Sequence, residues 1–131
     1  LPRGSSREQV VALASRELAA LAHELDIVLI VACQLNRQLE NRPLRDRRPR
    51  MSDLRESGQL EQDADGILFL FREAAYNPAT ETPELLEVGI AKQRNGRAPR
   101  TAFCHYQPGD GYVRNLSHGD QMRVQAQKSK L

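Results

Sequence analysis

Ile27-Val28-Leu29-Ile30-Val31-Ala32-Cys33 is the stretch on which the fold turns: seven apolar residues in succession, with no polar alternation. A strand covered on both faces reads this way, because in a parallel sheet flanked by helices neither face meets water. Gln34 follows at once. In open α/β sheets ligands lie beyond the carboxyl ends of the strands, so an amide at this tip is either placed to touch one or simply begins the next loop. Upstream, Ser5 and Ser6 precede Glu8 and Gln9 at the spacing of a capping box, and Val10, Ala14, Leu18, Leu21 and Leu25 recur every three or four residues. These predict an amphipathic helix from about Ser6 to Glu24. His23, near its carboxyl end, suits the helix dipole rather than catalysis. Leu1 to Ser5, Leu-Pro-Arg-Gly-Ser, resembles a protease-site scar and is left out of the fold reading.

Downstream of Gln34 a connection of roughly thirty residues precedes the next apolar run, and loops of that length are functional or disordered. Its charge is divided. From Arg37 to Arg50 six arginines face Glu40 and Asp46, a local balance of +4; from Met51 to Asp65 one arginine faces five carboxylates, a balance of −4. Arginine dominates over lysine, which favours bidentate contacts to phosphate or carboxylate, whereas a solvated loop explains the charge alone equally well. On composition the second half, Met51-Ser-Asp-Leu-Arg-Glu-Ser-Gly-Gln-Leu-Glu-Gln-Asp-Ala-Asp65, reads as a helix start with Ser52 as N-cap and Glu56 in the first turn.

Ile67-Leu-Phe-Leu-Phe71 is a second buried strand, ended by Arg72, and Glu73 to Pro83 is a loop. Leu86, Val88 and Ile90 alternate with Glu87 and Gly89 in a third strand that Lys92-Gln-Arg-Asn-Gly96 closes with a turn. Thr101 to Tyr106 is a fourth, joined through Pro108-Gly-Asp-Gly111 to Tyr112–Arg114 as a hairpin. Residues 117–131 are polar and slightly basic and read as a disordered tail.

The chain of 131 residues, 40% hydrophobic and 27% charged, suits one globular domain, and no apolar run approaches a membrane span. No apolar h-region marks a secretory signal. Cys33 and Cys104 each lie in an apolar run and read as reduced core thiols of a cytosolic protein, and nothing suggests a metal site. A helix followed by several strands with few helices between them is α/β, with a mostly parallel sheet, yet less than a complete doubly wound domain; its front is expected to lie upstream.

Four motifs in register carry a family resemblance. Gln34-Leu-Asn-Arg37, Ser52-Asp-Leu-Arg-Glu-Ser-Gly58, Glu61-Gln-Asp-Ala-Asp65 and Lys92-Gln-Arg-Asn-Gly96 resemble, in order and spacing, the DnaB-type replicative DNA helicases. The resemblance covers residues 6–116 and implies the carboxyl-terminal part of a RecA-like P-loop ATPase motor domain. It implies a homohexameric ring around single-stranded DNA that couples ATP hydrolysis to translocation and duplex unwinding. Primase and a helicase loader follow as partners, and bacterial cytoplasm, near the nucleoid, as location. Gln34 matches the glutamine that senses the terminal phosphate, Arg94 the arginine finger that reaches the neighbouring subunit's nucleotide, and Lys92 the basic residue beside it. Arg55, Glu56 and Gly58 match the loop that contacts DNA phosphates, where Glu56 either presents its backbone amide or tethers a basic neighbour.

Some residues depart from the family pattern. Cys33 stands where serine commonly precedes the glutamine, Arg97 stands where proline usually follows the turn, and the arginine-rich segment is slightly long. No Gly-x-x-x-x-Gly-Lys-Ser/Thr loop and no strand ending in a magnesium-binding Asp occurs in the sequence. ATP and Mg²⁺ are therefore expected in the intact parent and not on this segment alone, which is expected to be inactive by itself. A non-catalytic single-stranded DNA-binding or assembly module derived from a RecA-like ATPase is the alternative reading.

Overall fold

The computed structural model describes residues 5–54 and 58–128. Arg55 and Glu56 of the predicted DNA loop lie outside the described residues. The chain divides into two compact units, residues 1–67 with 92–96, and residues 68–91 with 97–131.

The first unit opens with helix α1, Arg7–Glu24, and of the two overlapping capping boxes the chain uses the second. Ser6 Oγ accepts from the Gln9 amide at 3.3 Å, and Gln9 Oε1 accepts from the Ser6 amide at 2.9 Å. Helix α2, Gly58–Asp63, packs on α1 through Ser15, which is buried and donates to Asp63 Oδ2 at 2.7 Å, and through Arg16, which donates to Gln59 Oε1 at 2.9 Å. Between them, residues 37–53 of the long connection are not one helix start. They fold as three 3₁₀ turns, Arg37–Asn41, Leu44–Asp46 and Met51–Asp53. Ser52 lies within the last of these and is not its N-cap; Arg50 holds that position, and Asp53, at the third position of the turn, reaches back so that its carboxylate accepts from the Arg50 amide at 2.8 Å.

The expected parallel strand at Ile27–Cys33 is not formed. Among the described residues no strand lies beside it, and a two-faced buried strand exists only by virtue of its neighbours. Val28 and Ile30 are each 89% exposed while Ile27, Leu29 and Val31 are less so, the two-residue period of an extended chain. Cys33 is accordingly exposed, not a core thiol, and Cys104 is half-buried; both are free.

The sheet runs in the order β1 (Gly66–Phe71), β2 (Leu85–Gln93), β3 (Arg100–Gln107), β4 (Tyr112–Asn115). Its pairings are antiparallel, against the mostly parallel expectation. β2 and β3 pair from Leu85↔His105 to Ile90↔Arg100, and β3 and β4 from Cys104↔Asn115 to Gln107↔Tyr112, the hairpin predicted from Pro108-Gly-Asp-Gly111. Gly111, at φ 68°, supplies the left-handed residue of that turn. Gly66 lies against Lys92 and Gly89 against Phe69, so β1 and β2 also run in opposite directions.

Antiparallel pairing leaves one face of β1 open. Ile67, Phe69 and Phe71 are buried while Leu68 and Leu70 stand exposed, so the run is apolar throughout but half-covered here. In the second unit Arg72 lies over the Tyr106 ring at 4.5 Å and Phe71 stacks on Tyr76. The segment expected to be a tail is helix α3, His118–Lys128. Ser117 caps it by accepting from the Asp120 amide at 3.2 Å, and Val124 anchors it by burial. A single buried valine in a polar run is a weak periodic signal, which is why composition alone reads as disorder.

Candidate nucleic-acid and nucleotide interface

Gln34, Gly58, Lys92 and Arg94 all belong to the first unit. Gln34 is exposed at the end of the Ile27–Cys33 run, on the rim of a hollow of about 540 Å³ that Arg7, Asn36 and Arg37 also line. The next residue, Leu35, forms an antiparallel bridge with Leu54, and the Asn36 amide donates to the Asp53 carbonyl at 2.8 Å. Two positions some twenty residues apart in sequence thus meet through backbone. Gln34 immediately precedes one side of the bridge, and Arg55 immediately follows the other.

Asp53 holds this junction. It is 3% exposed and accepts from Arg42 through both guanidinium nitrogens, Nη1 at 3.0 Å and Nη2 in a shorter contact, besides the Arg50 amide. Burial pushes the Asp53 carboxyl up, but the Arg42 hydrogen bonds, the Arg50 amide and the charges of both arginines outweigh it and hold the group below its ordinary value. The guanidinium of Arg42 is raised in turn by its bond to Asp53. The opposed charge blocks of the sequence meet in this pair. Within the basic block itself the pairing is loose, as in Arg50–Asp46 at 3.9 Å, and Arg45 remains almost fully exposed.

Asp63 is also held below its ordinary value, first by the Ser15 hydroxyl against a smaller effect of burial, then by Gln59 and the charges of Arg16 and Lys92. A carboxyl whose folded value lies below its unfolded one contributes its full stability above about pH 3.9 and loses it as pH falls through the folded value. The melting temperature should therefore drop on acidification below about pH 4, and Asp53→Asn should flatten that drop while lowering the melting temperature at neutral pH. Circular-dichroism melts across this range check it; an equally steep fall in the variant would remove Asp53 as the source.

Lys92 and Arg94 both reach the segment from α2 to β1. Lys92 Nζ donates to the Glu61 carbonyl at 2.5 Å and the Gln62 carbonyl at 3.3 Å. Arg94 Nη1 pairs with Asp65 Oδ1 at 2.5 Å, and its amide donates to the Asp65 carbonyl at 2.8 Å. Both partners of the ion pair are half-exposed or more, so it is worth about 0–1 kcal/mol and a stronger anion can take the guanidinium. A side chain added at Gly58 would meet no atom within 4 Å, leaving its backbone approachable.

Apart from standing in the quoted motifs, Asp53, Asp63 and Asp65 entered the sequence reading only as loop charge, and Arg42 only as one of six arginines. The usable signal was chemical: a carboxylate between Met51 and Leu54, one residue from an apolar bridge position, is costly to bury without a guanidinium within reach.

Residues 2–109 match the family model described as DnaB-like helicase C terminal domain. The replicative DNA helicase DnaB of Geobacillus stearothermophilus is 50% identical over 91 residues, which are 70% of this chain and 20% of that protein. That of Pasteurella multocida is 52% identical over 99 residues, 76% of this chain and 21% of that protein. The solved structure of a DnaB-like replicative helicase, described with its interactions with primase, superposes with a TM-score of 0.82 at 44% identity, covering 89% of this chain and 28% of the other. The chain spans about a fifth of the length of the curated relatives it matches.

Proposed function

This chain belongs to the DnaB-like helicase C-terminal domain family, and from that premise we propose that it supplies phosphate sensor, trans arginine finger and DNA-binding loop to a ring-shaped replicative helicase. In the intact protein, ATP hydrolysis drives translocation along single-stranded DNA and unwinding of the duplex. The ring is a homohexamer that works with primase and a loader in the bacterial cytoplasm. The observation that carries the reading is the Leu35–Leu54 bridge, which joins the residue after Gln34 to the residue before Arg55.

Gln34 is the sensor. A neutral amide can hydrogen-bond a terminal phosphate or the attacking water without competing for the proton. Arg94 is the finger, half-exposed and loosely held on Asp65, and it would trade that carboxylate for the developing charge on the neighbour's nucleotide. Lys92 steadies the turn through the Glu61 and Gln62 carbonyls and adds positive charge beside the finger. Arg55 and the open backbone at Gly58 grip DNA phosphates, which makes binding indifferent to base sequence. Glu56 acts in the same loop.

ATP and Mg²⁺ belong to the intact helicase. Among the described residues no group of three His, Cys, Asp or Glu side chains could hold a metal, and no step here runs through one. When bound, the nucleotide supplies the phosphoryl group whose loss is sensed. Among the described residues no helix is long and apolar enough to cross a membrane.

The test is Gln34→Ala in the intact helicase, measuring ATP turnover with and without single-stranded DNA. Loss of DNA stimulation is expected; full stimulation would overturn the sensor assignment.

A further inference from the structure

We propose that Asp53 and Arg42 are positioning residues that set the register between the phosphate sensor and the DNA-binding loop, so that DNA stimulation of ATP turnover depends on this pair. The inference rests on the reading of Gln34 as sensor and of residues 55–58 as the DNA loop.

The Asp53 carboxylate takes both nitrogens of the Arg42 fork and the Arg50 amide, while its own carbonyl takes the Asn36 amide. Arg42 is itself braced, since its carbonyl accepts from Arg47 Nε at 2.8 Å. Three separate pieces of the long connection therefore meet at a single buried residue: the end of the first 3₁₀ turn, the start of the third, and the chain just past Gln34.

A buried ion pair is seldom more stable than a well-packed apolar pair of similar volume, so stability alone does not account for it. What a bidentate fork supplies and an apolar contact does not is direction: two parallel hydrogen bonds fix the angle and offset of the groups they join. Here the fixed quantity is the Leu35–Leu54 pairing. In extended pairing a slip of one residue turns each side chain to the opposite face. Such a slip would shift the point from which the chain leaves Leu54 for the DNA-binding loop, while leaving α1, α2 and the sheet as they are. The pair therefore adds to the stability of the unit and, beyond that, fixes where the loop begins.

The predicted signature is loss of coupling with retained assembly. In the intact helicase, Asp53→Asn and Arg42→Gln each remove the fork, and each should lower the ratio of DNA-stimulated to DNA-independent ATP turnover by about 5- to 150-fold. The KM for ATP and the mass of the ring should hold. The double variant should lose no more than either single one, because one interaction is removed in all three. Full stimulation in an assembled single variant overturns the proposal, as does a loss confined to ring assembly, which would make the pair purely structural. Should neither variant assemble, Arg42→Lys decides, since it keeps the charge and loses the fork. Partial loss of stimulation in that ring supports the proposal, and full stimulation overturns it. Gln34→Ala and Arg55→Ala in the same series separate the two levels. If both retain stimulation, the assignment of sensor and loop falls; if both lose it while Asp53→Asn does not, only the positioning role falls.

Discussion

Arg94→Ala in the intact helicase is expected to reduce DNA-stimulated ATP turnover by about 10³- to 10⁵-fold, with nucleotide affinity nearly unchanged. The asymmetry follows from what the side chain does in each state. Before turnover the guanidinium has a partner in Asp65, through a half-exposed pair worth about 0–1 kcal/mol, so releasing it costs little and returns little in ground-state binding. As charge builds on the transferred phosphoryl group, the same guanidinium gains a far stronger partner in a site that excludes water. An interaction made only in the transition state moves turnover and leaves affinity alone. Steady-state kinetics beside equilibrium binding of a fluorescent nucleotide measure both. Retained turnover would remove the finger assignment, and a large loss of affinity would show Arg94 to be an ordinary phosphate ligand. Mixed rings sharpen the test: if Arg94 acts across the interface, a subunit lacking it silences its neighbour's nucleotide.

How much of this was legible in the sequence depends on whether a residue's partner is local. The α1 cap was readable because Ser6 and Gln9 are one turn apart, and the β3–β4 hairpin because its turn residues lie between its strands. Ile27–Cys33 shows the limit. Seven apolar residues state that both faces seek cover, but not that a strand lies alongside, and in this chain the run is extended and largely uncovered. The site divides in the same way. Gln34, Lys92 and Arg94 could be singled out as candidates because motifs are local patterns, while the contacts that build their surroundings are long-range. Arg42 with Asp53 spans eleven residues, Lys92 with Glu61 thirty-one, and Ser15 with Asp63 forty-eight. No periodicity encodes such pairs. What a sequence offers in their place is a count of charges without stated partners, and the opposed blocks of +4 and −4 were that signal.

Arg55→Ala should change the salt dependence of single-stranded DNA binding more than any other substitution in this segment. Affinity for a single strand falls with salt on a log–log slope of about 0.7 for each phosphate neutralised, because each contact releases condensed counterions. A ring that presents one Arg55 from each of six subunits multiplies the effect, so removing them all should lower the slope by about 4, and by about 2 if half the subunits engage at once. Anisotropy of a labelled oligothymidylate, titrated from about 50 to 200 mM salt, reads the slope directly. An unchanged slope would move the DNA contact elsewhere, to the exposed arginines Arg37, Arg45 and Arg50 in the first instance. The same titration decides between the two roles open to Glu56. If its backbone amide meets the phosphate, Glu56→Ala leaves the slope as it was, since the amide survives the substitution and neutralises no charge. If its carboxylate tethers a basic neighbour, the neighbour loses its hold on the strand, and the slope falls with it.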